Sequence, residues 1–262
     1  MLQSVLEAWK LSLHHRGSML KITMPLVGIT FAYFAANAVA HHAQRRLADP
    51  VVLFWAFATL YSTITAAVSW HRLLLLGEPI KAIRKWHSAD TAYLKGSLLI
   101  ALIATAVFIP IVLIMALIAP APTKTPWGAQ PAAPVKTMLA LGLATMLTVA
   151  IISARTMVLL PGRAIGNKMR ATEAFNYTRG NTFRIVLAMG AAIAPLIALT
   201  QLIQLGAAYA FLFGMIAEAY QLPAVILLIL VIMTIQVIYS FVALTMASVL
   251  YGKLKPVTAP VA

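Results

Sequence analysis

Long apolar runs recur along the chain, separated by short segments that hold most of the charges. Crossing the hydrocarbon core of a bilayer takes about 20 apolar residues in a helix. Runs of that order are Ile22–Ala40, Val51–Trp70, Gly96–Pro120, Thr137–Ala154, Ile185–Ile216 and Leu222–Tyr251. The spacing predicts an all-α membrane protein with six transmembrane helices, arranged as three hairpins in a single polytopic domain over residues 1–262.

The fifth run is longer than a bilayer requires. Ile185–Ile216 has 32 residues, which as a helix would extend about 48 Å. It contains Pro195, Gln201 and Gln204, which mark places where a helix bends or leaves the membrane early. The pattern is compatible with one kinked helix and with a helix followed by a re-entrant segment.

An amphipathic segment precedes each predicted hairpin. In the first, one helical face carries Leu2, Val5, Leu6, Trp9 and Leu13. Weaker versions of the pattern occur around Ile80–Trp86 and Ile165–Phe175. Apolar residues on one face and charged residues on the other are typical of short helices in the membrane interface.

A basic residue followed by glycine and a small polar residue closes each amphipathic segment. The three glycines are Gly17, Gly96 and Gly180. Glycine readily adopts the left-handed conformation that ends a helix, and the following Ser or Asn caps the next one. We therefore predict a corner at each glycine, and a threefold hairpin repeat over residues 1–76, 77–160 and 161–251.

Composition and charge agree with a membrane location and set the orientation. Apolar residues make up 62% of the chain, charged residues 10%, and the mean hydropathy is +0.91. Of the Lys and Arg residues, sixteen lie on the side of the two termini and four on the other side. Positive charge concentrates on cytoplasmic segments, so we predict a bacterial inner-membrane protein with both termini in the cytoplasm.

The net charge of +14 does not indicate nucleic-acid binding. The cations lie at the ends of apolar runs, where they set topology and meet anionic headgroups. Two basic segments carry the predicted contacts with anionic lipids or with other membrane-protein subunits. Their cations are Lys81, Arg84, Lys85, Arg163, Lys168, Arg170, Arg179 and Arg184. The alternative is that these charges act only as topology signals.

The polar residues predict no catalytic, cofactor or metal site. Cysteine is absent, and the six acidic residues fall outside the predicted spans, in loops or surface helices. The histidines sit mainly at the predicted headgroup level, His71 among them. Within the spans, Gln201, Gln204 and Gln236 are costly in lipid, and they either join helices or line a cavity.

Two stretches resemble those of a known group of proteins. The first runs from Val158 to Gly162 and continues through residues 171–175 and 178–184; the second is Ser69–Glu78. Both are similar to segments of bacterial polytopic membrane proteins related to the membrane domain of glycerophosphodiester phosphodiesterases, including uncharacterised alphaproteobacterial members. The resemblance implies a polytopic helical fold. It implies no catalytic residue, because in that group the chemistry belongs to a separate soluble domain.

Two classes of function fit these observations. The first is a non-enzymatic membrane protein that is an accessory or assembly subunit, or that handles lipids or apolar small molecules. The second is the permease subunit of an ABC-type exporter, which also combines six spans with cytoplasmic termini and an amphipathic N-terminal helix. The stretch around Arg179 and the lack of a clear re-entrant pair before the last span favour the first class.

The charge asymmetry generates a topology prediction. A reporter fused after Ala262 should be active only as a cytoplasmic fusion, because the sixteen cations on that side resist translocation. Paired fusions to alkaline phosphatase and to a fluorescent protein measure this directly. High phosphatase activity after Ala262 would contradict the orientation.

Overall fold

The chain folds into a bundle of long helices joined by shorter ones. A computed structural model describes residues 2–42, 49–81, 83–118, 135–214 and 218–254, and their regular structure is α-helical throughout. The helices are α1 (Leu2–His14), α2 (Arg16–His42), α3 (Asp49–Leu76), α4 (Ser88–Ile118), α5 (Val135–Thr156), α6 (Leu159–Ala164), α7 (Ala171–Tyr177), α8 (Thr182–Leu212) and α9 (Glu218–Leu254). The predicted outer connection over residues 119–134 and most of the one over 41–50 lie outside the described residues.

Five helices in the described part of the chain are long and apolar enough to cross a membrane. Their apolar stretches are Pro50–Leu76, Ser88–Ile111, Gly142–Ala164, Thr182–Ala210 and Ile226–Leu254. The chain is therefore a multi-pass membrane protein by length and composition. Helix α2 carries the remaining predicted span, and its passage through the membrane stays a prediction. Helix α8 continues through Pro195 for 31 residues, about 46 Å.

Of the three segments predicted as surface helices, the first coincides with α1 and the third coincides with α7 only from Ala171 onward. The second forms no helix in its described residues. Residues 77–81 and 83–87, where the second was expected, contain no helix. Gly77, at φ 69, ends α3, and Pro79 lies two residues further on. In addition, the side chain of Arg84 turns inward to an aspartate of α4. These tertiary contacts override a weak amphipathic pattern.

Only one of the three predicted glycine corners is found. Gly180 has φ 79 and lies in the turn between α7 and α8. The corner at Gly96 is wrong, because that residue lies inside α4, where an added Cβ would be 3.0 Å from Cδ of Arg163. Gly96 thus permits close helix packing. The corner at Gly17 is also wrong: α1 ends at His14, and the chain is already helical again from Arg16.

Side-chain packing is concentrated at one end of the bundle. The ends of α3 and α9 bury Val68, Trp70, Val242 and Met246 there, together with α1, α6 and the start of α8. Further along the helices large apolar side chains are exposed, among them Leu102, Leu113, Leu202, Leu205, Leu227 and Leu230. By the predicted orientation the packed end is cytoplasmic, and the exposed halves face the membrane.

Helix α1 is docked on the packed end by its small residues. Ser4, Val5, Ala8 and Ser12 are buried, against α8 and α9. Its larger residues divide between two surroundings. Trp9 Nε1 donates to the carbonyl of Ala192 at 3.1 Å, whereas the side chains of Leu2, Leu6 and Leu13 are exposed. Part of the predicted apolar face of α1 therefore packs against other helices, and part of it is exposed on the surface of the protein.

A threonine of α9 connects this docked helix to α3. Thr245 Oγ1 accepts hydrogen bonds of 2.9 Å from Ser12 Oγ and from Trp70 Nε1. It donates to the carbonyl of Phe241 at 2.7 Å. Because all three groups are buried, the bonds fix the relative positions of α1, α3 and α9 in a setting where unpaired polar groups are costly.

The docking of α1 can be tested by overpacking. Ala8 is fully buried, so Ala8→Leu should destabilise the fold by about 1–3 kcal/mol. The matched control is Gln3→Leu on the exposed side of the same helix, which should change stability little. Thermal unfolding of the detergent-purified protein, followed by tryptophan fluorescence, gives the comparison. Equal unfolding midpoints for the two variants would show that α1 is not docked.

Candidate functional site

The segment between α3 and α4 places charged and polar side chains at the packed end. We call residues 77–87 the α3–α4 loop; residue 82 is outside the described part. The loop folds back along α3 as far as Tyr61, which donates its hydroxyl to the carbonyl of Arg84 at 2.6 Å. Trp86 lies with its ring centroid 5.5 Å from that of Tyr61. These contacts hold an irregular segment in place without a helix of its own.

A buried ion pair anchors the loop. The guanidinium of Arg84 binds both carboxylate oxygens of Asp90, with one Nη–Oδ distance of 2.7 Å. Asp90 is fully buried in the first turn of α4, and the Arg84 side chain is 13% exposed. Arg84 also donates to Ser69 Oγ at 2.8 Å. Asp90 in turn accepts the backbone N–H of His87 at 2.7 Å. The predicted exposed contact residue Arg84 is therefore largely structural.

A second arginine pair closes the other side of the loop. Arg72, near the end of α3, donates from Nε to Glu78 Oε2 at 2.7 Å and from Nη1 to the carbonyl of Ala164 at 3.1 Å. The hydrogen bond from Arg72 holds the pKa of Glu78 below its ordinary value. The stabilisation from this pair is therefore complete above the ordinary carboxyl pKa and is lost as the pH falls through the lowered one.

Between these pairs lies an open cleft of about 740 Å³. We call it the cationic cleft. Its lining includes Arg72, Glu78, Lys81, Arg84, Lys85 and His87. The two arginines are neutralised by carboxylates. Lys81 and Lys85 are exposed and have no ion-pair partner within the described ranges. The cleft therefore presents two free ammonium groups on a rigid frame, which suits an anionic ligand.

An apolar groove lies deeper in the bundle, between α2, α3, α4 and α9. Its volume is about 720 Å³, and its lining includes Val27, Thr30, Ala67, Tyr93, Val237 and Ala243. A small cavity of about 30 Å³ lies between α2, α3 and the loop. We call it the neck.

The remaining predicted contact cations divide into two groups. One group is exposed and lines neither the cleft, the neck, the groove nor the cavity at Gln201. It consists of Lys168, Arg170, Arg179 and Arg184. Arg163 lies between helices, donating to the carbonyls of Ala92 at 3.3 Å and Met169 at 3.4 Å. Its role in the described structure is to tie α6 to α4.

The intramembrane glutamines come together in part. Gln201 of α8 and Gln236 of α9 line one cavity of about 210 Å³, together with Thr200 and Tyr239. Gln204 is exposed and is not among the residues that line it. Gln236 and Tyr239 also border the apolar groove. Of the two uses predicted for these glutamines, the structure favours cavity lining for Gln201 and Gln236.

Two polar residues are buried within the protein, which the sequence did not indicate. His71 was expected at headgroup level, but it is fully buried and shares a hydrogen bond of 2.7 Å with Ser248. Its Nε2 atom has no hydrogen-bond partner within the described residues. Asp90 was expected in a surface segment and is buried as well. An Arg six residues before an Asp at a helix start was the one available signal for that pair.

The described residues contain no group of three or more His, Cys, Asp or Glu side chains able to hold a metal ion. Comparisons with known protein families, with curated proteins and with solved structures find no match. The resemblance to membrane domains of glycerophosphodiester phosphodiesterases thus stays a prediction.

The buried pair that frames the cleft can be tested by removing its charge. Asp90→Asn leaves Arg84 without its partner, so we expect a loss of about 3–5 kcal/mol in the free energy of unfolding. The control is Glu7→Gln, which breaks the exposed pair with Lys253 (side chains 46% and 45% exposed) and should cost about 0–1 kcal/mol. Unfolding titrations in mixed micelles compare them, and similar losses would contradict the assignment.

Proposed function

We propose that this chain is a non-enzymatic bacterial inner-membrane protein that binds anionic lipid headgroups in the cationic cleft. In this proposal six helices span the membrane, with α2 as the sixth, and both termini are cytoplasmic. The support is the sixteen-to-four distribution of cations and the location of the cleft at the packed end, which carries most of those cations.

The observation that carries the proposal is the pairing pattern of the cleft cations. Arg72 and Arg84 are paired with Glu78 and Asp90, whereas Lys81 and Lys85 have no carboxylate partner among the residues that the structure describes. In water, exposed charges are screened within about 8 Å at physiological salt. At an anionic leaflet, however, each cation near the surface contributes about 1 kcal/mol. Two unmatched lysines beside one cavity therefore favour an anionic headgroup held at a defined place.

The chemistry of the cleft supports binding over catalysis. Glu78 lines the cleft and is hydrogen-bonded to Arg72, which lowers the pKa of its carboxyl and makes it a poor general acid. Asp90 is bonded to Arg84 and is not among the residues that line the cleft. His71 and Ser248 form a buried hydrogen-bonded pair, and neither residue is among those that line the cleft. Within the described residues the cleft offers charge and shape, which are the requirements of a binding site.

The exposed cations outside the cleft have a separate part in this proposal. These cations attract the anionic surface of the membrane or an acidic surface of another membrane subunit. They are Lys168, Arg170, Arg179 and Arg184. Because they line none of the cavities described above, they contribute general attraction and do not hold one lipid in place.

Lipid retention tests the proposal. We expect Lys81→Gln with Lys85→Gln to lower the anionic lipid that co-purifies in mild detergent by up to about thirtyfold, since two contributions of about 1 kcal/mol are removed. Zwitterionic lipid should not change. The measurement is quantitative mass spectrometry of lipid per protein after identical purification.

The matched control removes two cations outside the cleft. Arg179→Gln with Arg184→Gln lowers the net charge equally and should keep anionic lipid near the wild-type amount. Equal losses in the two double variants would indicate a general charge effect, and full retention by the cleft variant would refute the proposed function.

A further inference from the structure

We infer that the ligand is a whole phospholipid of the cytoplasmic leaflet, with its anionic headgroup in the cationic cleft and one acyl chain in the apolar groove. The inference rests on the proposed function and adds a second part of the site. It distinguishes a lipid held stoichiometrically between helices from a soluble anion, and from lipids that merely surround the protein.

The cleft, the neck and the groove are neighbouring cavities that share lining residues. Ser69, Lys81 and Arg84 line both the cleft and the neck. Ala66, one turn before Ser69 on α3, lines both the neck and the groove. A molecule in the cleft is therefore next to the entrance of the groove, along the same helix.

The length of the groove matches one leaflet. On α9 its lining extends from Ile232 to Leu244, which at 1.5 Å per residue is about 18 Å. Half of a hydrocarbon core of roughly 30 Å is about 15 Å. On α2 the lining extends from Thr23 to Thr30, or about 10 Å. The groove thus begins near the cleft and reaches about as deep as the acyl chains of a single leaflet.

The wall of the groove suits a hydrocarbon chain even where it contains hydroxyl groups. Thr23 and Thr30 on α2 donate to carbonyls of their own helix, at 2.9 and 2.8 Å. Ser240 on α9 does the same at 2.8 Å. Hydroxyls already bonded in this way need no polar partner from a ligand. At these positions the wall presents methyl and aliphatic groups for an acyl chain to contact.

The size of the neck indicates that one chain enters and not two. Its volume is about 30 Å³, far below the volumes of about 740 and 720 Å³ of the cleft and the groove. Pro25 and Ile22 form its wall on α2. A second acyl chain of the same lipid would accordingly remain in the surrounding bilayer. The lysines select the headgroup, while the groove selects for a long chain.

Binding of three defined probes to the purified full-length protein tests this inference. The probes are a long-chain phosphatidylglycerol, a dihexanoyl phosphatidylglycerol, and glycerol 3-phosphate, which has no chain. By native mass spectrometry we expect one long-chain lipid per protein, bound at least tenfold more tightly than the dihexanoyl lipid. Glycerol 3-phosphate should bind most weakly. Equal affinity for all three would show that the ligand is a free anion and would overturn the inference.

Groove-filling variants separate the two parts of the site. Ala243→Phe and Thr30→Phe place a ring in the groove from α9 and α2, whereas the control Ala191→Phe adds one on an exposed position of α8. We expect each groove variant to lose about tenfold in affinity for the long-chain lipid and little for the dihexanoyl lipid. The control should match the wild type. Two groove positions are used so that misfolding of one variant, detected by gel filtration, leaves the other.

The outcomes distinguish failure of the inference from failure of the proposed function. If both groove variants bind long-chain lipid like the wild type while Lys81→Gln with Lys85→Gln loses it, the cleft stands and the groove is refuted. If the lysine variant binds every probe like the wild type, the proposed function itself is refuted. Loss in both sets of variants, with the control unchanged, supports the complete site.

Discussion

The Arg84–Asp90 pair is the interaction on which the shape of the cationic cleft depends. Desolvating two charges is expensive, and an ion pair offsets that cost only when further hydrogen bonds satisfy both partners. Here Arg84 binds the carboxylate and also Ser69, and Asp90 also accepts the N–H of His87. The loop is thereby pulled against α3 and α4, and it follows no helical path. Lys81 and Lys85, on either side of the inward-turned arginine, remain outside.

Features that depend on residues close together in sequence could be predicted. Five of the expected spans correspond to long apolar helices, and Gly180 ends a turn as its context indicated. Gln201 and Gln236 line one cavity because they lie on consecutive helices that pack against each other. In each case the determining residues are close in sequence or belong to adjacent helices.

The features that could not be predicted depend on distant partners. Arg84 and Lys85 are neighbours of equal charge, yet only Arg84 meets a buried carboxylate. Gly96 has the same local context as Gly180, but it packs against Arg163 of a later helix. The weak amphipathic pattern around Ile80 gave no measure of how strongly tertiary contacts would oppose a helix. Membrane helices are read well from composition, whereas the polar contacts at their ends require the fold.

The contacts of α1 also determine the order in which this protein can be assembled. Trp9 and Ser12 bond to residues 183 and 233 positions later in the chain, and Lys253 reaches Ser4 across 249 positions. Helix α1 leaves the ribosome before α8 and α9 have been synthesised. Contacts between residues so far apart in sequence form late in folding. Helix α1 must therefore remain undocked while the intervening helices are made, and its contact with Lys253 can form only after that residue has been translated.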